Sequence, residues 1–336
     1  MYQYFLKGFE ITTLAAQNNE AVDCLLYFHP GVHKMTLTAV ILLSISALTH
    51  AGWNLISKKD TPSTASFLLA NLFGTLLLIP LMLFGKHQII DMILLLWPLL
   101  LITGFFQATY FTGLAYAYKT GELSVAYPLA RSAPSLMVAT VVLMAGQGGK
   151  IGNLALLGMT LIVLGGFLIP LKSFRDFSLQ RYRSVAVVTA LIAAAGTAGY
   201  SMIDDYALAL LRDSSSTSPD NFVIVALYYI ALQGVMTVIW QGLTVLLIRE
   251  ERRILCRRAA HPGSSIIKGA GIFLTYSLVL ISMGYVSNVS YVVAFRQLSI
   301  PIGLVFGIFF LKERVCGPKL TAVILLFTGV VLVGIG

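Results

Sequence analysis

His50-Ala51-Gly52-Trp53-Asn54, in the first long apolar stretch, returns as Thr197-Ala198-Gly199-Tyr200-Ser201 in the sixth. Ser132-Ala133-Pro134 in the fourth stretch likewise returns as Ser299-Ile300-Pro301 in the ninth, and Val125 and Val292 each stand nine residues before the proline. Ten apolar segments fill the chain from Met35 to Gly336, so the first five are repeated by the second five. Five is odd, and a duplicated five-helix unit therefore enters a membrane the second time from the opposite side. The expected fold is an all-α membrane protein of ten transmembrane helices, arranged as two inverted five-helix repeats around a central cavity. Many secondary transporters share that plan and bind substrate near the bilayer midplane where the halves meet.

Composition places the chain in lipid. It is 57% hydrophobic and only 11% charged, against roughly 45–50% and about 25% for soluble domains. Each segment has the roughly 20 apolar residues that cross a hydrocarbon core as a helix, and the alternating ten-residue pattern of a barrel is missing. The net charge of +9 comes from basic residues in short connections, where they act as topology signals; no nucleic-acid partner is expected. Cys24, Cys256 and Cys316 are isolated, with no ligand spacing for a metal and no disulfide framework. No cofactor, metal or catalytic residue is expected.

Residues 1–34 mix polar and apolar positions without an apolar core or a signal-peptide pattern, and read as a non-membrane N-terminal extension with Met35 as the natural start. Residues 35–171 form the first repeat, 172–184 a connecting loop and 185–336 the second repeat. The spans fall at about 36–57, 65–85, 92–118, 123–145, 152–171, 185–205, 221–248, 268–287, 289–311 and 318–336. Connections after odd-numbered spans carry sixteen Lys and Arg, the other side five; the positive-inside rule makes the odd connections cytoplasmic and puts both termini outside.

Arg131 and Arg296 lie well inside the fourth and ninth spans, about eight residues or roughly 12 Å from the helix starts. A buried arginine costs at least about 2.5–3.5 kcal/mol on insertion scales and must face water, a partner or an anion. Asp204, Asp205 and Glu122 are the acids available for an internal ion pair. The functional reading is a guanidinium fork holding a carboxylate, phosphate or phosphonate. Pro134 and Pro301 are expected to break their helices, each removing a hydrogen bond and bending the span, and the freed carbonyls survive in lipid only against protein or a water-filled cavity. His50, Trp53 and Asn54 form a polar, aromatic stripe, with His50 a candidate proton carrier and interhelical packing the plain alternative. Tyr118, Tyr127, Tyr200 and Tyr285 are aromatic cavity candidates, Tyr118 and Tyr285 aligning between the repeats, and Gln297 adds a neutral hydrogen-bonding group. Gly158, Gly165 and Gly329 mark the fifth and tenth spans as scaffold or homodimer surface.

The chain resembles the EamA branch of the drug/metabolite transporter superfamily. The likeness covers Met35 to Gly336 and rests on the double repeat, the HAGWN stretch and the run SIPIGLVFGIFFLKERVCGPKLTAVILLFTGVVLVG, with Pro301, Leu311, Glu313 and Gly329 at the family's positions. The first repeat departs from it, with Gln147 near the place of Glu313. The resemblance implies a basket of helices around a cavity with spans five and ten outside it, and a membrane-resident exporter or exchanger of small metabolites. Characterised members often have cytoplasmic termini, opposite to the charge count. The expected function is secondary active transport of a small polar or anionic solute by alternating access, coupled to a proton or counter-solute, in a bacterial inner membrane. A membrane-embedded enzyme acting on lipid or a small molecule, or a passive channel, is the alternative.

Overall fold

The computed structural model describes residues 35–60, 62–120, 123–144, 152–168, 171, 173, 184–214, 219–287, 289–311 and 317–335. The N-terminal extension and nearly all of the 172–184 loop, together with Glu122, Gln147, Asn288 and Glu313, lie outside the described residues. In chain order the helices are α1 (Leu37–Lys59), α2 (Thr64–Phe84), α3 (Lys86–Thr120), α4 (Leu123–Met144), α5 (Asn153–Leu168), α6 (Val185–Ser214), α7 (Pro219–Leu247), α8 (Arg249–Ala259), α9 (Gly263–Met283), α10 (Val289–Phe295), α11 (Ser299–Leu311) and α12 (Gly317–Ile335), with a 3-10 turn, Arg296–Leu298, between α10 and α11. Among the described residues there is no strand, only one isolated bridge between Met35 and Val286. Six helices, α1, α2, α3, α6, α7 and α9, are long and apolar enough to cross a membrane, which makes this a multi-pass membrane protein.

The helices are inside-out relative to soluble ones. On α1, Ile41, Ile45 and Leu48 are exposed while Ser46 and His50 are buried, as expected where the surroundings are hydrocarbon and polar groups must find partners inside. Helix starts are conventional: Thr36 accepts from the Ala39 amide at 3.3 Å and Ser63 from the Ser66 amide at 3.1 Å, satisfying donors that the first turn leaves free.

Small residues set the closest packing. A Cβ on Gly158 would stand 2.5 Å from the Gly329 carbonyl oxygen, a Cβ on Gly329 2.5 Å from that of Gly158, and a Cβ on Gly165 2.9 Å from that of Ala322. Helices α5 and α12 therefore run antiparallel with backbones in contact. Helices α2 and α7 are also antiparallel, with Asn71 on Gln241 at 2.8 Å and Gly85 beside Tyr228. Helix α3 packs on α6, α1 on α9, α2 on α9 and α3 on α7.

Chain ends sort onto two faces. Asp60, after α1, accepts from Arg258 and Lys268, both at 2.6 Å. Lys119, ending α3, pairs with Glu250 at 2.9 Å, and the Ala65 amide donates to Glu251 at 2.8 Å. On the other face Thr36 meets the Tyr285 carbonyl at 3.1 Å, and Arg212 lies 5.0 Å from the Phe222 ring centroid.

Two boundary expectations are corrected. Helix α6 continues to Ser214, well past residue 205, because Tyr206, Leu208 and Leu211 keep an apolar face that is buried. The basic connection 249–267 contains helix α8, whose first turn carries Glu250 and Glu251 and whose last turn carries Arg257 and Arg258, charges that complement the helix dipole at both ends. The interruption expected ahead of Pro301 is present as a 3-10 turn at Arg296–Leu298, next to the Gln297 carbonyl that Pro301, lacking an N–H, leaves without its helical partner; the one expected at Pro134 is not, since α4 is continuous there.

Candidate functional site

A narrow cavity opens where α1, α2, α3, α6, α7, α9 and the 3-10 turn meet. His50 and Trp53 line it from α1, Asn71 from α2, Gln107, Tyr110 and Phe111 from α3, Tyr200 from α6, Ile230 and Gln233 from α7, Phe273, Thr275 and Tyr276 from α9, and Arg296 from the turn. Most of these side chains are aromatic or aliphatic, with a few polar groups converging, the usual make-up of a small-molecule site.

Arg296 is the charged group of that lining. Its Nη2 donates to the Tyr200 hydroxyl at 3.1 Å and its Nη1 reaches Ser201 Oγ at 3.4 Å. The guanidinium carbon lies 5.8 Å from the Tyr200 ring centroid and 5.4 Å from that of Tyr276. The two rings are perpendicular, 5.3 Å apart. Cation–π contacts of this kind are worth about 2 kcal/mol or more when desolvated. Among the described residues, no carboxylate pairs with Arg296. A buried guanidinium held by hydroxyls and ring faces, on the wall of a cavity, retains donor capacity for an anion.

Behind Tyr276 lies a buried carboxylate. Asp204, 0% exposed, accepts from Thr103 at 2.6 Å, from Tyr229 at 2.8 Å and from Gln233 Nε2 at 2.8 and 2.7 Å. The Tyr276 hydroxyl completes the set with a short hydrogen bond to Oδ2. The network continues through Gln233 Oε1 to Gln107 Nε2 at 3.0 Å. One carboxylate thus ties α3, α6, α7 and α9 together, and Tyr276 links it to Arg296.

The other sequence candidates scatter. Trp53 packs against His50 at 4.6 Å between ring centroids, and its buried indole N–H has no hydrogen-bond partner among the described residues. Asn54 Nδ2 donates to the His50 carbonyl at 2.9 Å and meets His50 Nδ1 at 2.7 Å. With a donor facing it, Nδ1 is an acceptor, so His50 is a neutral imidazole here. Asn54 itself does not line the cavity. Arg131 is also outside the lining: it is buried, 3% exposed, donates from Nη2 to Ser299 at 3.1 Å, and its Nε has no partner among the described residues. Arg296 alone of the two is part of the lining, while Arg131 is engaged by Ser299 at the start of α11.

Gln297 is buried and donates back to the Val293 carbonyl at 3.0 Å, which keeps it in the wall of the broken span. Pro134 is buried within α4, which runs through it unbroken. Pro301 sits in the first turn of α11. Tyr118 and Tyr285 are placed at helix ends and away from the lining, Tyr118 two residues before α3 stops and Tyr285 two after α9. The side chain of Tyr127 lies outside the described residues.

Sequence reading missed Gln107, Gln233 and Tyr276 as wall residues, and took Asp204 only as a partner for an arginine. A signal existed for the glutamines, each a lone amide inside an apolar run, LITGFFQATYF and YYIALQGVMTV, where a polar group needs a partner.

One solved structure, described only as "Crystal structure of protein", superposes on this chain with a TM-score of 0.61 at 14% sequence identity, covering 88% of this chain and 95% of its own. At that identity the likeness is one of fold. No protein-family model and no curated protein matches the chain.

Proposed function

We propose that this chain is a secondary transporter of a small polar or anionic organic solute, working by alternating access, and that its ten apolar segments cross the membrane as two inverted five-helix repeats of the EamA type. The helix contacts support the duplication: exchanging the first five spans with the second five turns the α3–α6 packing into α9–α1 and α2–α9 into α7–α3, and maps α5–α12 and α2–α7 onto themselves. The sorting of odd-connection ends onto one face favours alternate crossings. The bacterial inner membrane, with the basic odd connections in the cytoplasm, fits the charge asymmetry.

The observation that carries the reading is Arg296, a buried guanidinium on a cavity wall, at a helix break, with no carboxylate paired to it among the described residues. Interrupted helices with charged groups at the repeat interface are where secondary transporters bind their cargo. The test is purified protein in liposomes loaded with labelled carboxylates, phosphates and phosphonates, first screened for thermal stabilisation. Uptake driven only by an opposing solute or pH gradient, and abolished by Arg296→Gln, is expected. Flux indifferent to both gradients would indicate a channel, and conversion of the solute to product an enzyme; either outcome sinks the proposal.

A further inference from the structure

We propose that Asp204 is the proton-binding group of this protein, and that its protonation and anion binding at Arg296 favour each other. The inference rests on the transport reading above and adds the coupling ion and its sign. The partners of Asp204 sit near the middles of their helices: Thr103 in α3 (Lys86–Thr120), Gln233 in α7 (Pro219–Leu247) and Tyr276 in α9 (Gly263–Met283). That is the depth at which ionisable residues carry ion and proton traffic.

The chemistry of the partners suits a group that gains and loses a proton. Three of the four are hydroxyls, from Thr103, Tyr229 and Tyr276, and a hydroxyl donates to a carboxylate or accepts from a carboxylic acid by rotating its own proton. The fourth, Gln233 Nε2, already lies 2.8 Å from Thr103 Oγ1, an acceptor to which it can turn when one Asp204 oxygen becomes O–H. Both protonation states therefore keep the buried polar groups bonded. An arginine or lysine in direct contact would have fixed the anion, and none contacts Asp204 among the described residues.

The other ionisable groups around it set the sign. On α6, Tyr200 accepts from Arg296, and Asp205 is buried beside Asp204 with Arg212 two turns further on. From α3, Tyr110 stacks edgewise on Tyr200 at 6.0 Å; from α4, Arg131 is engaged by Ser299. Arg296 is joined to Asp204 through a single side chain, Tyr276. An ionised Asp204 offsets part of the Arg296 charge, and a protonated one leaves it for the anion. By linkage the converse holds equally: a bound anion raises proton affinity at Asp204 by the same factor. His50, held neutral by Asn54, needs no part in this.

Infrared difference spectroscopy of the purified full chain between pH 9 and pH 5 tests it. A carbonyl band of a protonated carboxyl group should grow on acidification in wild type, vanish in Asp204→Asn and persist in Asp205→Asn. Benzoate and inorganic phosphate are the probes; whichever stabilises wild type but not Arg296→Gln should shift the band to higher pH, by about one pH unit for a tenfold coupling. Tyr276→Phe, which keeps the carboxylate but removes its link to Arg296, should retain the band and lose most of the shift. If a probe binds through Arg296 and the Asp204 band is missing or does not move, this inference fails while the transport reading stands. If neither these nor any anion in the stabilisation screen binds, both fail together.

Discussion

The fourth and ninth spans share a short motif, Ser132-Ala133-Pro134 and Ser299-Ile300-Pro301, and they form different structures. Each carries a proline at the equivalent place and one arginine. Helix α4 runs unbroken from Leu123 to Met144, and its Arg131, outside the cavity lining, donates to the Ser299 hydroxyl. The ninth span stops at Phe295, makes a 3-10 turn and restarts at Ser299, and its Arg296 sits in that turn with the guanidinium against Tyr200, Ser201 and Tyr276. The shared motif does not decide the local structure; the chemistry comes from the positions at which the two spans differ. Arg296 stands five residues before its proline and Arg131 three; both spacings fall within the stretch that forms the turn in the ninth span, but α4 makes no turn there, so only Arg296 is placed in one.

The largest effect should come from the arginines themselves. Charge-assisted hydrogen bonds are worth about 1.5–3 kcal/mol, so Arg296→Gln should weaken binding of the screened anion by about ten- to a hundredfold, measured by calorimetry, with Arg131→Gln costing less than about threefold. Equal losses would erase the distinction between the two spans. Next, Pro301→Ala restores a backbone donor and lets the helix close over the break; transport in liposomes should fall several-fold while Pro134→Ala, in a helix that is already continuous, leaves it within twofold. A reversed order would show that the break is not what exposes Arg296.

Ser299→Ala should act on stability alone. It removes the hydroxyl partner of buried Arg131 and should cost about 1 kcal/mol, read as a lower melting temperature in detergent, with anion affinity unchanged. The smallest effect concerns the ion cluster joining the halves at one face. Burial pushes the Asp60 carboxyl up, but the Arg258 and Lys268 hydrogen bonds and charges outweigh it and hold it well below the usual carboxylate range. A depressed folded value means the stabilisation is complete above the unfolded value near pH 4 and is lost as pH falls below it. The melting-temperature gap between wild type and Asp60→Asn should thus be constant from pH 7 to pH 5 and narrow below about pH 4. A gap that already closes at pH 6 would mean that Asp60 is not held ionised by this cluster.

Much of the helical layout was legible because lipid imposes a simple rule: apolar runs of sufficient length become helices. Helix α8 escaped it, being short and arginine-rich, and its stability comes from dipole-matched ends and from Glu251 reaching the Ala65 amide on another helix. At the site, His50, Trp53, Tyr200 and Arg296 stood out as polar or aromatic groups at repeated or costly positions, and the fold gathers all four on one cavity. Tyr118 and Tyr285 were favoured by the same repeat and lie at helix ends. Symmetry of sequence marks equivalent places; it does not say how far from the centre they fall.

The sequence by itself determined a membrane-embedded, helical chain with a doubled motif and costly charges inside apolar runs. Hydropathy and repetition are properties of single segments and need no partner to be read. Which charge faces the cavity, and that Asp204 belongs to Tyr276, Tyr229, Thr103 and Gln233 instead of to an arginine, was decided only in the tertiary structure. Those partners lie as many as 101 residues apart from it in the chain, and a buried polar group takes whichever donor the packing of distant helices brings within about 3 Å.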